Sequence, residues 1–107
     1  MGGRGASSSI ESARLKVLGL YGDRANAERA IKNADRRQTL ADIDVELYAG
    51  DKTSRRYKSA LTRQANAKEA AKQARERWEK LNKAYQKANE KYERLTRANN
   101  DSEIIPF

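Results

Sequence analysis

The stretch that decides the fold runs from Thr53 to Asn100 and reads TSRRYKSALTRQANAKEAAKQARERWEKLNKAYQKANEKYERLTRANN. With Tyr57 as position a of a heptad, position a holds Tyr57, Gln64, Ala71, Trp78, Tyr85, Tyr92 and Asn99, and position d holds Ala60, Ala67, Ala74, Leu81, Ala88 and Leu95. This period is typical of a coiled coil. Because no Gly or Pro interrupts the stretch and good helix formers fill most of it, we predict one continuous helix over residues 53–100.

The a and d positions of this helix, which we call its seam, predict a packing partner. Large rings at a alternate with Ala at d, which lets another backbone approach closely at each Ala. The packing residues are Ala71, Ala74, Trp78, Leu81, Tyr85, Ala88, Tyr92 and Leu95. The partner is either the first half of the chain or a second copy, which would make a homodimer through the long helix; a foreign protein is the third alternative.

The first half of the chain predicts short helices separated by turns. Ser8 and Glu11 form a capping box for a helix over residues 9–20, which Gly22 is expected to end. Asp23 can then cap a second helix. Apolar residues of this half are expected to cover the seam: Ile10, Val17, Ile31, Leu40 and Leu47.

A third short helix is predicted through Tyr48, opened by Thr39 and Asp42 as a second capping box. The alternation of apolar and acidic residues over 42–47 is also the period of a half-buried strand, but no second strand candidate exists to pair with it, so helix is favoured. The turn at residues 50–51 is expected to end this helix and to cap the long one.

The predicted fold class is therefore all-α, with one long coiled-coil-like helix and two or three short N-terminal helices packed on it. Three segments are expected. Residues 1–9, rich in Gly and Ser, form a flexible leader; residues 10–100 form the helical domain; and residues 101–107 form a C-terminal tail.

The amino-acid composition argues against an enzymatic function. The 107 residues include no Cys and no His, which removes thiolate chemistry, the commonest metal ligand and the commonest general base. The three acids within residues 42–46 lack the Gly and the closing acid of a calcium loop. We therefore expect no enzyme, no cofactor and no metal site. No apolar run approaches the roughly 20 residues that span a bilayer, and no signal-like apolar segment opens the chain, so a cytoplasmic protein without membrane contact is predicted.

The net charge of +8 is concentrated in the long helix, where residues 53–100 carry 14 basic and 5 acidic side chains. Cations in the first turns of a helix oppose its macrodipole and cost about 0.3–1 kcal/mol each, so a polyanion that offsets them is a natural partner. The predicted nucleic-acid-binding residues are Arg55, Arg56, Tyr57, Lys58, Arg63 and Lys68. The alternative is a basic face that is only solvated.

The end of the sequence carries the most specific motif, DSEIIPF over residues 101–107. It resembles the C-terminal tip of bacterial single-stranded-DNA-binding proteins, an acidic run ending in Ile-Pro-Phe with a free carboxylate, which docks onto DNA-processing enzymes. The resemblance implies that Phe107 anchors in an apolar pocket, that Asp101 and Glu103 steer the encounter, and that three residues support the anchor: Ile104, Ile105 and Pro106.

The likeness is limited to this docking peptide. Ser102 interrupts the acids, and the all-β binding domain of that family is not predicted here. A tail that folds back on the basic helix is the alternative. At the other end, residues 2–8, GGRGASS, resemble the openings of small proteins encoded by bacteriophages and prophages.

These observations predict a non-catalytic binding protein of phage or mobile-element type in the cytoplasm of a bacterial host. It is expected to hold nucleic acid through the basic helix and to recruit, or compete for, host DNA-processing enzymes through the tail. Two alternatives stay open: a phage anti-defence inhibitor that binds a host enzyme, and a helical structural or scaffolding protein.

Overall fold

The computed structural model of the protein describes the backbone of residues 2–103 and the side chains of residues 9–98. It contains two α-helices, α1 (Gly2–Tyr48) and α2 (Arg55–Glu103). The chain divides into two compact units. The first, Met1–Ala25 with Lys80–Phe107, is called the terminal unit; the second, Asn26–Glu79, is called the turn unit.

Helix α2 confirms the prediction of one long, unbroken helix, with a start two residues later than expected. Ser54 caps it: the hydroxyl oxygen of Ser54 accepts a hydrogen bond from the backbone N–H of Tyr57 at 3.1 Å. Every a and d position of the seam with a described side chain is buried or half-buried.

The turn between the helices is stabilised by Asp51, whose predicted role as the cap of α2 is wrong. Its carboxylate accepts hydrogen bonds from the hydroxyl and the backbone N–H of Thr53, at 2.6 and 3.1 Å. These bonds, the hydroxyl one first, lower the pKa of Asp51. The ionised carboxylate therefore stabilises the turn above the ordinary carboxyl pKa, and this contribution is lost as the pH falls through the lowered value.

Helix α1 overturns the prediction of two or three short N-terminal helices, because it runs without a break from Gly2 to Tyr48. Gly22 does not end a helix, and Asp23 and Thr39 lie inside one instead of capping one. The hydroxyl of Thr39 donates to the backbone carbonyl of Asp35 at 3.0 Å. The strand alternative over residues 42–47 is also wrong.

Helix α1 is unbroken because it has a heptad pattern of its own, which the local turn signals obscure in the sequence. Buried or half-buried positions recur along α1 at alternating spacings of three and four residues: Ile10, Ala13, Val17, Leu20, Arg24, Ala27, Ile31, Ala34, Gln38, Ala41, Val45 and Tyr48. This seam of α1 passes through Gly22 without a shift of phase. A Gly inside a helix costs about 1 kcal/mol relative to Ala, which packing along such a seam outweighs.

The buried core is made of alanine. All the buried hydrophobic residues among those described are of this type: Ala13, Ala27, Ala34, Ala41, Ala60, Ala67, Ala71 and Ala88. Ile10, Val17 and Ile31 lie half-buried on the seam of α1, as expected. Leu40 and Leu47 do not cover α2, because they occupy position c; they are 58% and 68% exposed.

The two ends of the chain are described only in part. The backbone of residues 2–9 belongs to α1, and whether this segment acts as a flexible leader stays a prediction. The backbone of residues 101–103 belongs to α2. The remainder of the predicted docking tail, residues 104–107, lies outside the described residues.

Replacing Gly19 or Gly22 by Ala should stabilise the protein. Both glycines are exposed, and a Cβ at either position meets nothing within 4 Å, so only the gain in helix propensity remains. We expect each substitution to raise the free energy of unfolding by about 0.5–1 kcal/mol, measured by urea denaturation followed by circular dichroism.

The matched control is Ala65→Gly at an exposed position of α2, which should cost a similar amount. A loss of stability in Gly22→Ala would show that α1 is not a continuous helix at this point.

Candidate functional site

In the turn unit, α1 and α2 are joined by polar contacts, two of which are ion pairs. Asp35 accepts a hydrogen bond from the guanidinium of Arg75 at 2.6 Å, and Asp44 lies 3.4 Å from that of Arg63. The carboxylate of Asp42 accepts from the side-chain amide of Gln64 at 2.8 Å. Asp35, Asp42 and Asp44 are therefore cross-helix partners. They neutralise part of the positive charge of α2 in this unit.

Two of the predicted nucleic-acid-binding residues have contacts within the turn unit, one through an ion pair and one through packing. Arg63 forms the ion pair with Asp44, and Tyr57 lies half-buried on the seam. Trp78, also on the seam, donates its indole N–H to the carboxylate of Glu28 at 3.3 Å. Arg63 stays exposed but its charge is paired, and the rings of Tyr57 and Trp78 are half-buried.

The other four predicted residues are exposed but do not share one surface. Arg56 lies at position g, on the same edge of α2 as Arg63. Lys68 lies at position e, on the opposite edge. Arg55 and Lys58, at f and b, point away from α1. The turn unit therefore spreads these cations around the helix.

The terminal unit instead gathers cations at a groove that sequence reasoning missed. The groove encloses about 760 Å³ between α1 and α2. Its apolar lining comes from four residues: Ala13, Ala84, Ala88 and Leu95. Its basic lining comes from four others: Lys16, Lys87, Lys91 and Arg94. Ser9 and Ser12 add two hydroxyls, and Glu90 is the single acid of the lining.

The four cations of this groove are available for a ligand. All four are exposed, and none of them makes an ion pair with a side chain in the described range 9–98. Arg14, close by in sequence, differs: its guanidinium donates to Glu11 at 3.0 Å, which raises the pKa of Arg14. The groove therefore brings together four exposed cations that make no ion pair within this range.

The heptad register of α2 explains the groove. Positions c and g are adjacent on the helix surface, and between residues 55 and 98 they hold seven cations and no acid. The cations are Arg56, Arg63, Arg77, Lys80, Lys87, Lys91 and Arg94. All five acids of this range lie at positions b and f. Sorting the charges by heptad position, and not by their order along the chain, is the signal that would have found this stripe.

Position g of α2 faces α1 at one edge of the helix pair, so within the terminal unit the stripe borders a groove. Lys87, Lys91 and Arg94 are spaced four and three residues apart, which corresponds to about 6 and 4.5 Å along the helix axis. Lys16 supplies the fourth charge from α1. These four cations therefore form a row along the groove.

Arg24 is a cation of a different kind. Its guanidinium lies 4.2 Å from the ring centroid of Tyr85 and 5.8 Å from that of Tyr21, and it donates to the side-chain oxygen of Asn82 at 2.9 Å. The two rings are 6.2 Å apart at an interplanar angle of 51°. These contacts hold Arg24 on the seam, where a polar residue fixes the register of two helices. Arg24 is therefore a structural residue.

Two further features were not found among the described residues. No group of three or more acids among them could hold a metal ion, and no helix there is apolar enough over a sufficient length to cross a membrane. No protein-family model matches the sequence, and searches of the curated proteins and of the solved structures found no match either.

Arg24→Ala should destabilise the protein by about 1–2 kcal/mol, because it removes both a charge-assisted hydrogen bond and the stacking on Tyr85. Arg24→Lys should recover only part of this loss, since an ammonium group lacks the planar face that stacks on a ring. Chemical denaturation followed by circular dichroism measures both effects.

The control is Arg29→Ala, an exposed cation at position f on the side of α1 opposite the seam, which should change stability by less than about 0.5 kcal/mol. Equal effects at the two positions would refute the structural role of Arg24.

Proposed function

We propose that this chain is a non-catalytic nucleic-acid-binding protein that holds a phosphate backbone in the groove of the terminal unit. The observation that carries the proposal is the row of four exposed cations, Lys16, Lys87, Lys91 and Arg94, which line the groove and make no ion pair with any side chain of residues 9–98. The predicted cations of the turn unit contribute to the attractive field, but ion pairing and their distribution make them secondary.

The lining of the groove indicates the mode of binding. Lysine and arginine side chains neutralise phosphates and release counterions, and the hydroxyls of Ser9 and Ser12 can donate hydrogen bonds to phosphate oxygens. None of the side chains that line the groove is aromatic, so bases have no stacking platform there. Binding should therefore depend on salt and show little sequence preference.

The tail gives the proposal its second part, recruitment of or competition for host DNA-processing enzymes in a bacterial cytoplasm. This part rests on the likeness of residues 101–107 to the docking tips of single-stranded-DNA-binding proteins. The association with phages or mobile elements rests on the resemblance of residues 2–8. Together they describe an adaptor that joins nucleic acid to a host enzyme.

A protein-binding role without nucleic acid is the second candidate, either as an inhibitor of a host enzyme or as a scaffolding protein. It is favoured by one observation: large apolar side chains of α1 are more than half exposed, among them Leu15, Leu18, Leu40 and Leu47. Because the seam of α2 packs against α1 in each unit, a homodimer through the long helix stays a prediction that would need a face other than the seam.

Replacing Lys87, Lys91 and Arg94 together by Gln should weaken nucleic-acid binding at least tenfold. The slope of log affinity against log salt concentration should fall by about 2–3, because three phosphate contacts no longer release counterions. Fluorescence anisotropy with labelled single-stranded DNA, duplex DNA and RNA measures both quantities.

The matched control is the triple substitution of Arg55, Arg56 and Lys58 by Gln, which removes the same charge from the start of α2. A larger effect of the control would move the site to the turn unit. Absence of binding by the wild-type protein to any of the three probes at low salt would favour the protein-binding candidate.

Phe107→Ala should abolish capture of host DNA-processing enzymes in a pull-down from bacterial lysate, because an aromatic anchor in an apolar pocket contributes roughly 2 kcal/mol or more. Asp101→Asn with Glu103→Gln should weaken capture mainly as the salt concentration rises. Ser102→Ala is the control and should leave capture unchanged. Undiminished capture by Phe107→Ala would show that the likeness of the tail is accidental.

A further inference from the structure

The outer face of α1 in the turn unit carries an apolar stripe that nothing in the described part of the chain covers. Leu40, Ile43 and Leu47 are 58%, 54% and 68% exposed. They occupy positions c, f and c, which are spaced three and four residues apart as in the seam. The stripe therefore has the period of a second helix-packing face on the opposite side of the helix.

The charges that flank the stripe are arranged in two blocks of opposite sign. Cations at exposed positions precede its centre: Lys32, Arg36 and Arg37. Acids follow it: Asp44 and Glu46. A second copy of the same stripe laid parallel would place like charges opposite each other. Laid antiparallel, it places the cations of each copy opposite the acids of the other.

We propose that a second copy of this chain docks on this stripe, α1 against α1, antiparallel about a twofold axis that passes between residues 41 and 42. In an antiparallel heptad pairing, positions c and f face each other across the axis. Leu40 then packs against Ile43 of the partner subunit. Leu47 packs against the aliphatic stem of the partner subunit's Arg36.

The same register pairs the flanking charges. Arg37 faces Asp44 of the partner subunit, and the twofold axis repeats this contact on the other side. Both residues line a cavity of about 310 Å³ beside the stripe. Its floor is formed by small residues, Ala41, Ala67 and Ala70, so an apolar side chain of the second copy has room to enter next to Leu40.

The alanine core gives a physical reason for this contact. No large side chain is fully buried in the described part of either unit, so the large apolar side chains of the two seams keep part of their surface in water. Packing the leucines of two copies together adds the burial of large side chains that the single chain lacks. The interface uses residues of the turn unit and none of those that line the cationic groove, so its test is independent of the test of nucleic-acid binding.

Sedimentation velocity over a wide range of protein concentration tests the proposal. The wild-type chain should shift from monomer to dimer as the concentration rises. Leu40→Lys with Leu47→Lys should stay monomeric at every concentration with an unchanged helical circular dichroism spectrum, because both positions are already exposed. Leu15→Lys with Leu18→Lys, equally exposed in the terminal unit, is the matched control and should still dimerise.

A charge exchange tests the antiparallel register. Arg37→Asp alone and Asp44→Arg alone should each lose self-association, because each places like charges opposite one another at both symmetric contacts. Mixed together, the two variants should form a heterodimer, since both contacts then join opposite charges. Circular dichroism of each variant before mixing establishes that it is helical, which matters because Asp44 also pairs with Arg63.

Three outcomes would overturn the proposal. The first is a wild-type chain that is monomeric throughout. The second is a dimer that survives the two lysines on the stripe. The third is a mixture of the charge variants, both helical, that does not associate although the wild-type protein does.

Discussion

The close approach of two helix backbones at alanine is the interaction on which the structure depends. In both helices, position d is filled mainly by Ala, and all the buried hydrophobic residues described are alanines. A small side chain at this position lets the helices pack with little between them, and the larger groups at position a lie along the sides of the contact. Placing a large side chain at one of these alanines would separate the helices and disturb the neighbouring layers.

A core of this kind leaves polar and aromatic contacts to decide the register. Alanine layers look alike from one heptad to the next, so they alone distinguish poorly between neighbouring alignments. In the turn unit, Asp35 with Arg75 and Glu28 with Trp78 select the alignment. In the terminal unit, Arg24 selects it by contacting Asn82 and Tyr85. Such contacts are individually weak when exposed, but each is satisfied in only one register.

The long helix could be predicted from sequence because periodicity, composition and the absence of breakers all agree over Thr53–Asn100. Helix α1 could not be predicted in the same way, because Gly22, Asp23 and Thr39 each carry a local signal for a helix end. Those signals are worth about 1 kcal/mol each, whereas packing acts along the whole heptad pattern and outweighs them.

The basic character of α2 was likewise evident from composition, but the groove was not. Lys16 comes from a distant part of the chain, and the stripe appears only when the charges of α2 are sorted by heptad position. The acids of α1 were equally misleading. Asp42 and Asp44 look like the start of a helix in the sequence, and only the structure brings them against Gln64 and Arg63.

The single tryptophan provides the turn unit with its own optical reporter. The single tryptophan of the chain, Trp78, belongs to the turn unit, where its indole N–H is bonded to Glu28. Tyr21 and Tyr85 belong to the terminal unit and lie beside the guanidinium of Arg24. Indole fluorescence therefore follows the opening of the turn unit alone, whereas the tyrosine signal, to which Tyr48 and Tyr57 of the turn unit also contribute, follows both units. A difference between the two melting curves would show, without any attached label, that the units do not open together.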